Sequence, residues 1–300
     1  MSEISRRNFI KTAAIAAGVA LAPKSLFSQL PADKKTKIVV VEGSDTKAML
    51  SKGIDALGGW RAFVKPGRIA VVKPNAAFAS KPEQGANTSP LVVGEIVAAC
   101  KAAKASRVVL PEFTLANPDQ AFGLSGIKAA ADKAGGELYA LTKQEQFREI
   151  EIPAGKRLKK AEIAVDVIDA PCLINVPTAK QHGGAMFSLS MKNWMGSIRD
   201  RGYWHRNDLH QCIADFSTLV KPSLVIIDAT RLLLTNGPGG PGEMAYPRQL
   251  IFGTDPVAVD AYAVTLFNKK PLDVPYIKLA QEAGVGTGDL SQVDVIKLRV

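Results

Sequence analysis

Lys37-Ile-Val-Val-Val-Glu42 and Arg68-Ile-Ala-Val-Val-Lys73 enclose residues 45–57, a segment of helical periodicity that Gly58-Gly59 ends. Short β-branched runs flanked by polar residues read as strands buried on both faces. The periodic stretch between them, closed by a glycine pair, reads as a helix. This strand, helix, strand unit then repeats. Residues 90–105 are Ala-rich and helical, Arg107-Val-Val-Leu110 is a strand, residues 124–134 form a helix stopped by Gly135-Gly136, and Glu137-Leu-Tyr-Ala140 is a strand. Strands joined through single helices make parallel crossovers, so the predicted class is α/β. The expectation is a mostly parallel, doubly wound sheet with helices on both faces.

Residues 147–170 carry the basic turn Lys156-Arg-Leu-Lys-Lys160 between extended stretches and read as a small β-rich excursion. Pro171-Cys-Leu-Ile-Asn-Val176 and Ser223-Leu-Val-Ile-Ile-Asp228 return to buried strands, with a helix over 207–220 before the second. Arg248-Gln-Leu-Ile-Phe252, helices over 256–267 and 275–283, and a strand over 294–300 complete a single α/β domain spanning 37–300.

The chain has 300 residues, 47% of them apolar, with 25 Gly and 18 Pro, which excludes coiled-coil, collagenous and low-complexity classes. Three cysteines, at 100, 172 and 212, have no CxxC spacing. They exclude a paired disulfide framework, a zinc ribbon and a self-contained four-cysteine iron–sulfur site. No P-loop or nucleophile-elbow pattern is present.

Ser5-Arg6-Arg7-Asn8-Phe9-Ile10-Lys11, a mild apolar run over 12–22 and a small-residue Ala20-Leu21-Ala22 cleavage candidate resemble a twin-arginine export signal, with Ile in the usual Leu position. Residues 1–30 are therefore expected to be a signal peptide that engages the twin-arginine translocase, and the mature protein to be periplasmic or otherwise exported. The apolar run is too short to span a membrane, and no transmembrane segment is expected elsewhere. Without residues 1–30 the 38 basic and 28 acidic side chains become 34 and 27, a net charge of +7. Neither long Lys/Arg blocks nor RNP-type aromatic motifs accompany that charge, so a nucleic-acid partner is not expected and an anionic small molecule is.

In open α/β sheets ligands sit beyond the carboxyl ends of the strands. Lys73-Pro74-Asn75 follows the second strand; Asn175-Val-Pro-Thr178, Lys180 and His182 follow a central one; Asp228 ends a third; and Gly237-Pro-Gly-Gly-Pro-Gly242 comes soon after. Each has an ordinary structural reading when taken alone: Lys73 on a solvated edge, Asn175 in a turn, Asp228 as a helix cap, the Gly/Pro loop as a reverse turn. Residues 180–212 are less easily set aside, because all three histidines, 182, 205 and 210, lie there with Trp194 and Trp204. The mixture of Lys192, Asn193, Arg199, Arg201 and these aromatic residues does not read as core. Arg and Lys supply charged donors to a carboxylate or phosphate, the tryptophans stack on planar or cationic ligands, and a histidine moves protons near neutral pH.

A metal reading uses His182 and His205 with Asp228 or His210, but no pair has the i, i+4 spacing of a helical zinc motif. No metal or cofactor is identified by the residues. His210 reads as a packed or capping side chain, and Cys100 and Cys172 as small core residues.

Lys73-Pro74-Asn75, Asn175 to His182, Met191-Lys192-Asn193 with Gly196, the 237–242 loop, and Gly253-Thr-Asp255-Pro-Val-Ala-Val-Asp260, followed by Gly284-Val-Gly-Thr-Gly288, together resemble the family called domain of unknown function 362. The resemblance spans nearly all of 37–288. It implies an α/β domain and a site shared by Lys73, Asn75, Lys180, His182, Lys192, Asn193 and Asp255. Some relatives are fused to ferredoxin-like iron–sulfur modules, which hints at redox chemistry; this chain lacks their four-cysteine clusters.

The leading expectation is a crevice that holds an anionic small molecule or cofactor. Lys73, Lys180, Lys192 and Arg201 neutralise it; Asn75, Asn175, Thr178, Asn193 and Asp228 orient it; and His182, His205 and Lys180 carry any proton transfer or metal ligation. Asp255 reads most simply as the cap of the helix begun by Pro256, with a place in the site as the alternative. The rival expectation is a non-enzymatic binding or assembly module with a flat aromatic patch around Trp194, Tyr203 and Trp204. Electron transfer through a bound group is a third.

Overall fold

The computed structural model of the protein describes residues 36–300; the expected export signal at 1–30 lies outside the described residues. The β-branched runs form strands in chain order: β1 (Thr36–Glu42), β2 (Ala70–Pro74), β3 (Val108–Glu112), β4 (Glu137–Ala140), β5 (Phe147–Glu151), β6 (Lys160–Ala164), β7 (Leu173–Val176), β8 (Thr178–His182), β9 (Met186–Ser188), β10 (Leu224–Leu233), β11 (Met244–Ala245), β12 (Gln249–Gly253) and β13 (Val293–Arg299). The main sheet runs β13-β1-β12-β10-β7-β2-β3-β4, with β8 and β11 paired to β10 and β9 paired to β8. Along that order every pair is parallel except those made by β12, which is antiparallel to both β1 and β10.

Successive side chains of one strand enter opposite cores, which is why the strands are apolar throughout. Ile38 and Val40 of β1 join Val225 and Ile227 of β10 in one core; Val39 and Val41 join Leu224 and Ile226 in the other. The first core is closed by helices Leu209–Leu219, Pro256–Thr265 and Pro275–Glu282, the second by Thr46–Asp55 and Pro90–Ala102. Each such Val, Ile or Leu, fully buried, stabilises the fold by roughly 1.5–3 kcal/mol. Cys100, Cys172 and Cys212 are buried and unpaired. The basic excursion is a separate two-stranded ladder of β5 and β6.

One expectation is corrected. Residues 124–134 are not one helix: Pro118–Leu124 and Ile127–Lys133 are separated at Gly126, which takes φ +71°. Asn117 accepts from the amides of Asp119 and Gln120, and Pro118 occupies the first turn, so the helical region starts earlier than its apolar periodicity suggests. Residues 178–188 form the β8–β9 hairpin, Lys180 opposite Ser188 and His182 opposite Met186. Among the described residues no helix is long and apolar enough to cross a membrane.

The strand order places the site. From β2 the chain steps outward through β3 to β4, then returns to β7 on the other side of β2. The direction of winding therefore reverses between β2 and β7, and a crevice opens beyond their paired carboxyl ends, Lys73 opposite Asn175 and Pro74 opposite Val176.

Candidate functional site

Lys73 is completely buried at the end of β2, not on a solvated edge. Its Nζ donates to Glu112 Oε2 at 2.8 Å and to the Pro74 carbonyl at 2.6 Å. Glu112, the last residue of β3, also accepts from the Ala76 amide at 2.8 Å through Oε2, while its Oε1 is buried without a partner among the described residues. Burial pushes the Lys73 ammonium down and the Glu112 carboxyl up, and their contact opposes both shifts. The sequence reading missed Glu112. It obeys the same rule that singled out Lys73, but Pro111 disguised the end of the strand.

An asparagine relay connects this ion pair to Lys180. Asn193 Nδ2 donates to the Lys73 carbonyl at 3.0 Å and to Asn175 Oδ1 at 2.8 Å, and Asn75 Nδ2 donates to Asn193 Oδ1 at 3.3 Å. Asn75 Oδ1 accepts from Lys180 Nζ at 3.4 Å. That ammonium also donates to the Ala86 carbonyl and lies 4.3 Å from the Phe78 ring centre. Asn193 and Lys192 are carried by the short helix Ser190–Asn193, whose first amides, Ser190 and Met191, donate to buried Asp260 at 2.8 and 3.1 Å. Burial lifts the Asp260 carboxyl to about 7.

Lys192 is the least satisfied cation of the group. It is buried, and among the described residues its hydrogen-bond acceptor is the Met195 thioether, 3.1 Å from Nζ. Burial, with Arg201 nearby, lowers it to about 7; burial and Lys192 hold Lys180 well below the usual lysine range. Arg201 donates to the Thr114 carbonyl and stacks 4.5 Å from the Phe113 ring centre. The His182 and His205 rings lie nearly parallel with centres 6.1 Å apart. His182 Nδ1 accepts from the amides of Gly184 and Ala185 at 3.0 and 3.1 Å, which leaves the proton of the neutral ring on Nε2. Burial, then the charges of Lys192 and Lys180, lower this imidazole to about 3.

These groups surround a small, partly open cavity of about 80 Å³. Asn75, Lys180, His182, Lys192, Asn193, Arg201 and His205 line it, with Glu112 as the carboxylate of the wall. The 237–242 loop reaches it through Pro238 and is laid directly on β8: the Gly237 amide donates to Gln181 Oε1 at 2.7 Å, and a Cβ at Gly237 would stand 1.8 Å from the Gln181 carbonyl oxygen.

Other expected site residues do not reach the cavity. Asn175 acts one step behind it, donating to the Ser190 carbonyl at 2.8 Å and accepting from Asn193. Thr178 is buried beside Asp228 in the β8–β10 register. Asp228 accepts from the Ser89 amide at 2.7 Å, at the start of helix Pro90–Ala102. Asp255 caps helix Pro256–Thr265 and accepts from the Thr287 amide at 3.0 Å, joining the 253–260 and 284–288 signatures. Asn175, Asp228 and Asp255 are drawn away because their amide or carboxylate serves the surrounding backbone, whereas the Thr178 hydroxyl is buried without a partner among the described residues.

The reading of 180–212 as outside the core is overturned. Trp194 and Trp204 are buried to 1% and 0% exposure and both pack against Phe216, so they present no stacking platform and no flat aromatic patch. The metal set also fails to assemble. Among the described residues no three His, Cys, Asp or Glu side chains are grouped to hold an ion. His210 stacks on Tyr276, 6.0 Å between ring centres, and Asp228 serves Ser89.

The fold and its strand-end cleft define an α/β protein with a basic, partly enclosed cavity at the topological reversal of the sheet. The chain belongs to the domain of unknown function family DUF362, whose pattern matches residues 70–265. It is similar to the thylakoid-associated protein sll1697 of Synechocystis sp., 22% identical over 260 residues covering 81% of this chain and 77% of that protein. Among solved structures, the lactate racemase apoprotein from Thermoanaerobacterium thermosaccharolyticum aligns with a TM-score of 0.41 and 14% identity, over 66% of this chain and 52% of its own. The chain thus matches about half the length of that racemase.

Proposed function

We propose that the cavity binds a small molecule bearing a carboxylate or phosphate, in a protein exported by the twin-arginine route. The observation that carries this reading is the charge balance of the wall. Lys180, Lys192, Arg201 and two histidines face the space, against Glu112, whose charge already serves Lys73. Buried cations without counter-charges are costly, and an anion that accepts from them recovers that cost through charge-assisted hydrogen bonds. His182, neutral and with Nε2–H free of the β8–β9 turn, adds an uncharged donor. The asparagine relay holds Lys180 and the helix bearing Lys192 in place.

The test is calorimetric titration of the purified protein with inorganic phosphate and with acetate. The Lys180→Ala/His182→Ala variant, if folded, is expected to bind at least tenfold more weakly, since each hydrogen bond to a charged partner contributes about 1.5–3 kcal/mol. Unchanged affinity in the folded double variant refutes the assignment. The export reading has its own test: Arg6→Lys/Arg7→Lys should leave the protein in the cytoplasm with its amino terminus uncleaved, and normal export of that variant overturns it.

A further inference from the structure

The three buried lysines around the asparagine relay are not equivalent. Lys73 is held by a carboxylate and a carbonyl, and Lys180 by a carbonyl, an amide oxygen and an aromatic face. Lys192 has a thioether, a weak acceptor that costs little to leave. It lines the cavity on a helix fixed at its first turn by Asp260, so its position is set by backbone contacts and not by a counter-ion. Glu112, with Oε1 unpartnered, lines the same space.

We propose that Lys192 forms an imine with an aldehyde or ketone whose carboxylate or phosphate is held in the cavity. This inference rests on the anion-binding reading and names the part of the ligand that reacts. An amine in an apolar, cationic pocket gives up its proton readily and is a nucleophile at neutral pH. The depression of Lys192 to about 7 accords with that role. The step balances without an oxidant or reductant. Nζ attacks the carbonyl carbon, the C–N bond forms, and the C=O bond breaks in two stages through a carbinolamine. The ammonium loses two of its three protons to the departing oxygen, which leaves as water, and the iminium keeps the third with the positive charge. Glu112, the carboxylate on the cavity wall, relays the proton that passes from nitrogen to oxygen. The iminium then draws electrons from bonds next to the former carbonyl carbon, so the class of reaction served is proton abstraction or bond cleavage at that neighbouring position.

The full-length protein is incubated with sodium cyanoborohydride and either pyruvate or glyceraldehyde 3-phosphate, then digested for mass spectrometry, while phosphate affinity is measured separately on untreated protein. The expected result is a reduced adduct on Lys192 at least tenfold above that on any exposed lysine, suppressed by excess phosphate and absent in Lys192→Arg. Labelling by pyruvate alone or by the sugar phosphate alone identifies which anionic group the cavity takes. If phosphate binds and Lys192 is unlabelled, or labelling follows exposure along the chain, the imine is refuted while the anion site stands. If phosphate does not bind and Lys192 is unlabelled, both fall.

Discussion

Gly196 and Glu112 are packed so closely that a Cβ on the glycine would lie 2.0 Å from the carboxylate Oε1 and 2.7 Å from Lys73 Nζ. The Gly196 carbonyl also accepts from the Phe113 amide at 2.7 Å, which ties the 194–197 turn to the end of β3. The turn therefore roofs a buried ion pair, and the roof has no room for a methyl group. Gly196→Ala should cost at least ~1–3 kcal/mol of unfolding free energy, the usual range for overpacking, because neither the backbone nor the ion pair yields easily. Denaturant unfolding reads this directly; a loss below ~0.5 kcal/mol would mean that the carboxylate moves freely under the turn.

Glu112→Gln leaves the Lys73 ammonium buried without its counter-charge. A loss of about 3–5 kcal/mol is expected, as for other broken buried pairs. Adding Lys73→Met should restore most of it, since removing both charges removes the orphan. A double variant as unstable as the single would show that the ion pair is not what the fold depends on.

Asp260→Ala strips acceptors from two buried amides at the start of helix Ser190–Asn193. Each buried orphan donor costs roughly 1–3 kcal/mol, so the folded protein should lose at least ~2 kcal/mol. Phosphate should also bind more weakly, although Asp260 is no part of the cavity wall, because Lys192 and Asn193 ride on that turn. Unaltered phosphate affinity in a folded Asp260→Ala protein would separate the cap from the site.

The pH dependence of stability has a definite sign at Lys192. Its folded value near 7 lies below the unfolded value of about 10.5, so between these limits the unfolded chain binds more protons. Stability from this group rises with pH across that window and is lowest below pH 7, where the ammonium is buried at full cost. Lys192→Met should therefore be more stable than the wild type near pH 6, with the gap closing toward pH 10. Arg201 and Lys180 add positive charge to the same space, His182 faces it as a neutral ring beside His205, and Glu112 opposes the charge. Phosphate binding at pH 8 should be accompanied by proton uptake, seen as a buffer-dependent enthalpy. Proton release would reverse the assignment of sign.

The architecture was legible where apolar runs were long and cleanly bounded. Residues 37–42 and 137–140 match β1 and β4 closely because both are bounded by turn and polar residues. Gly126 escaped notice because a single glycine in an Ala-rich stretch resembles a tolerated helical residue. Glu112 escaped because Pro111 normally ends a ladder; β2 pairs with β3 only as far as Val109, and past that point β3 has one neighbour and tolerates the proline. The clustering of Lys, Asn and His drew attention to the right segment, but composition could not tell a solvated mixture from a buried one. The polar side chains of 180–193 are buried because they satisfy one another, and that pairing of Asn75, Asn175, Asn193 and Lys180 is a property of strand order, invisible in a linear reading.

Cys100, Cys172 and Cys212 sit deep in the packing, and burial raises all three thiols, Cys172 to about 11 and Cys212 to about 12. Oxidative crosslinking and thiol exchange require a thiolate within reach of a partner. These sulfurs offer neither at neutral pH. The three sulfurs of the folded chain are thus poor partners for crosslinking or exchange at neutral pH, whether the thiols around it are reduced or oxidised.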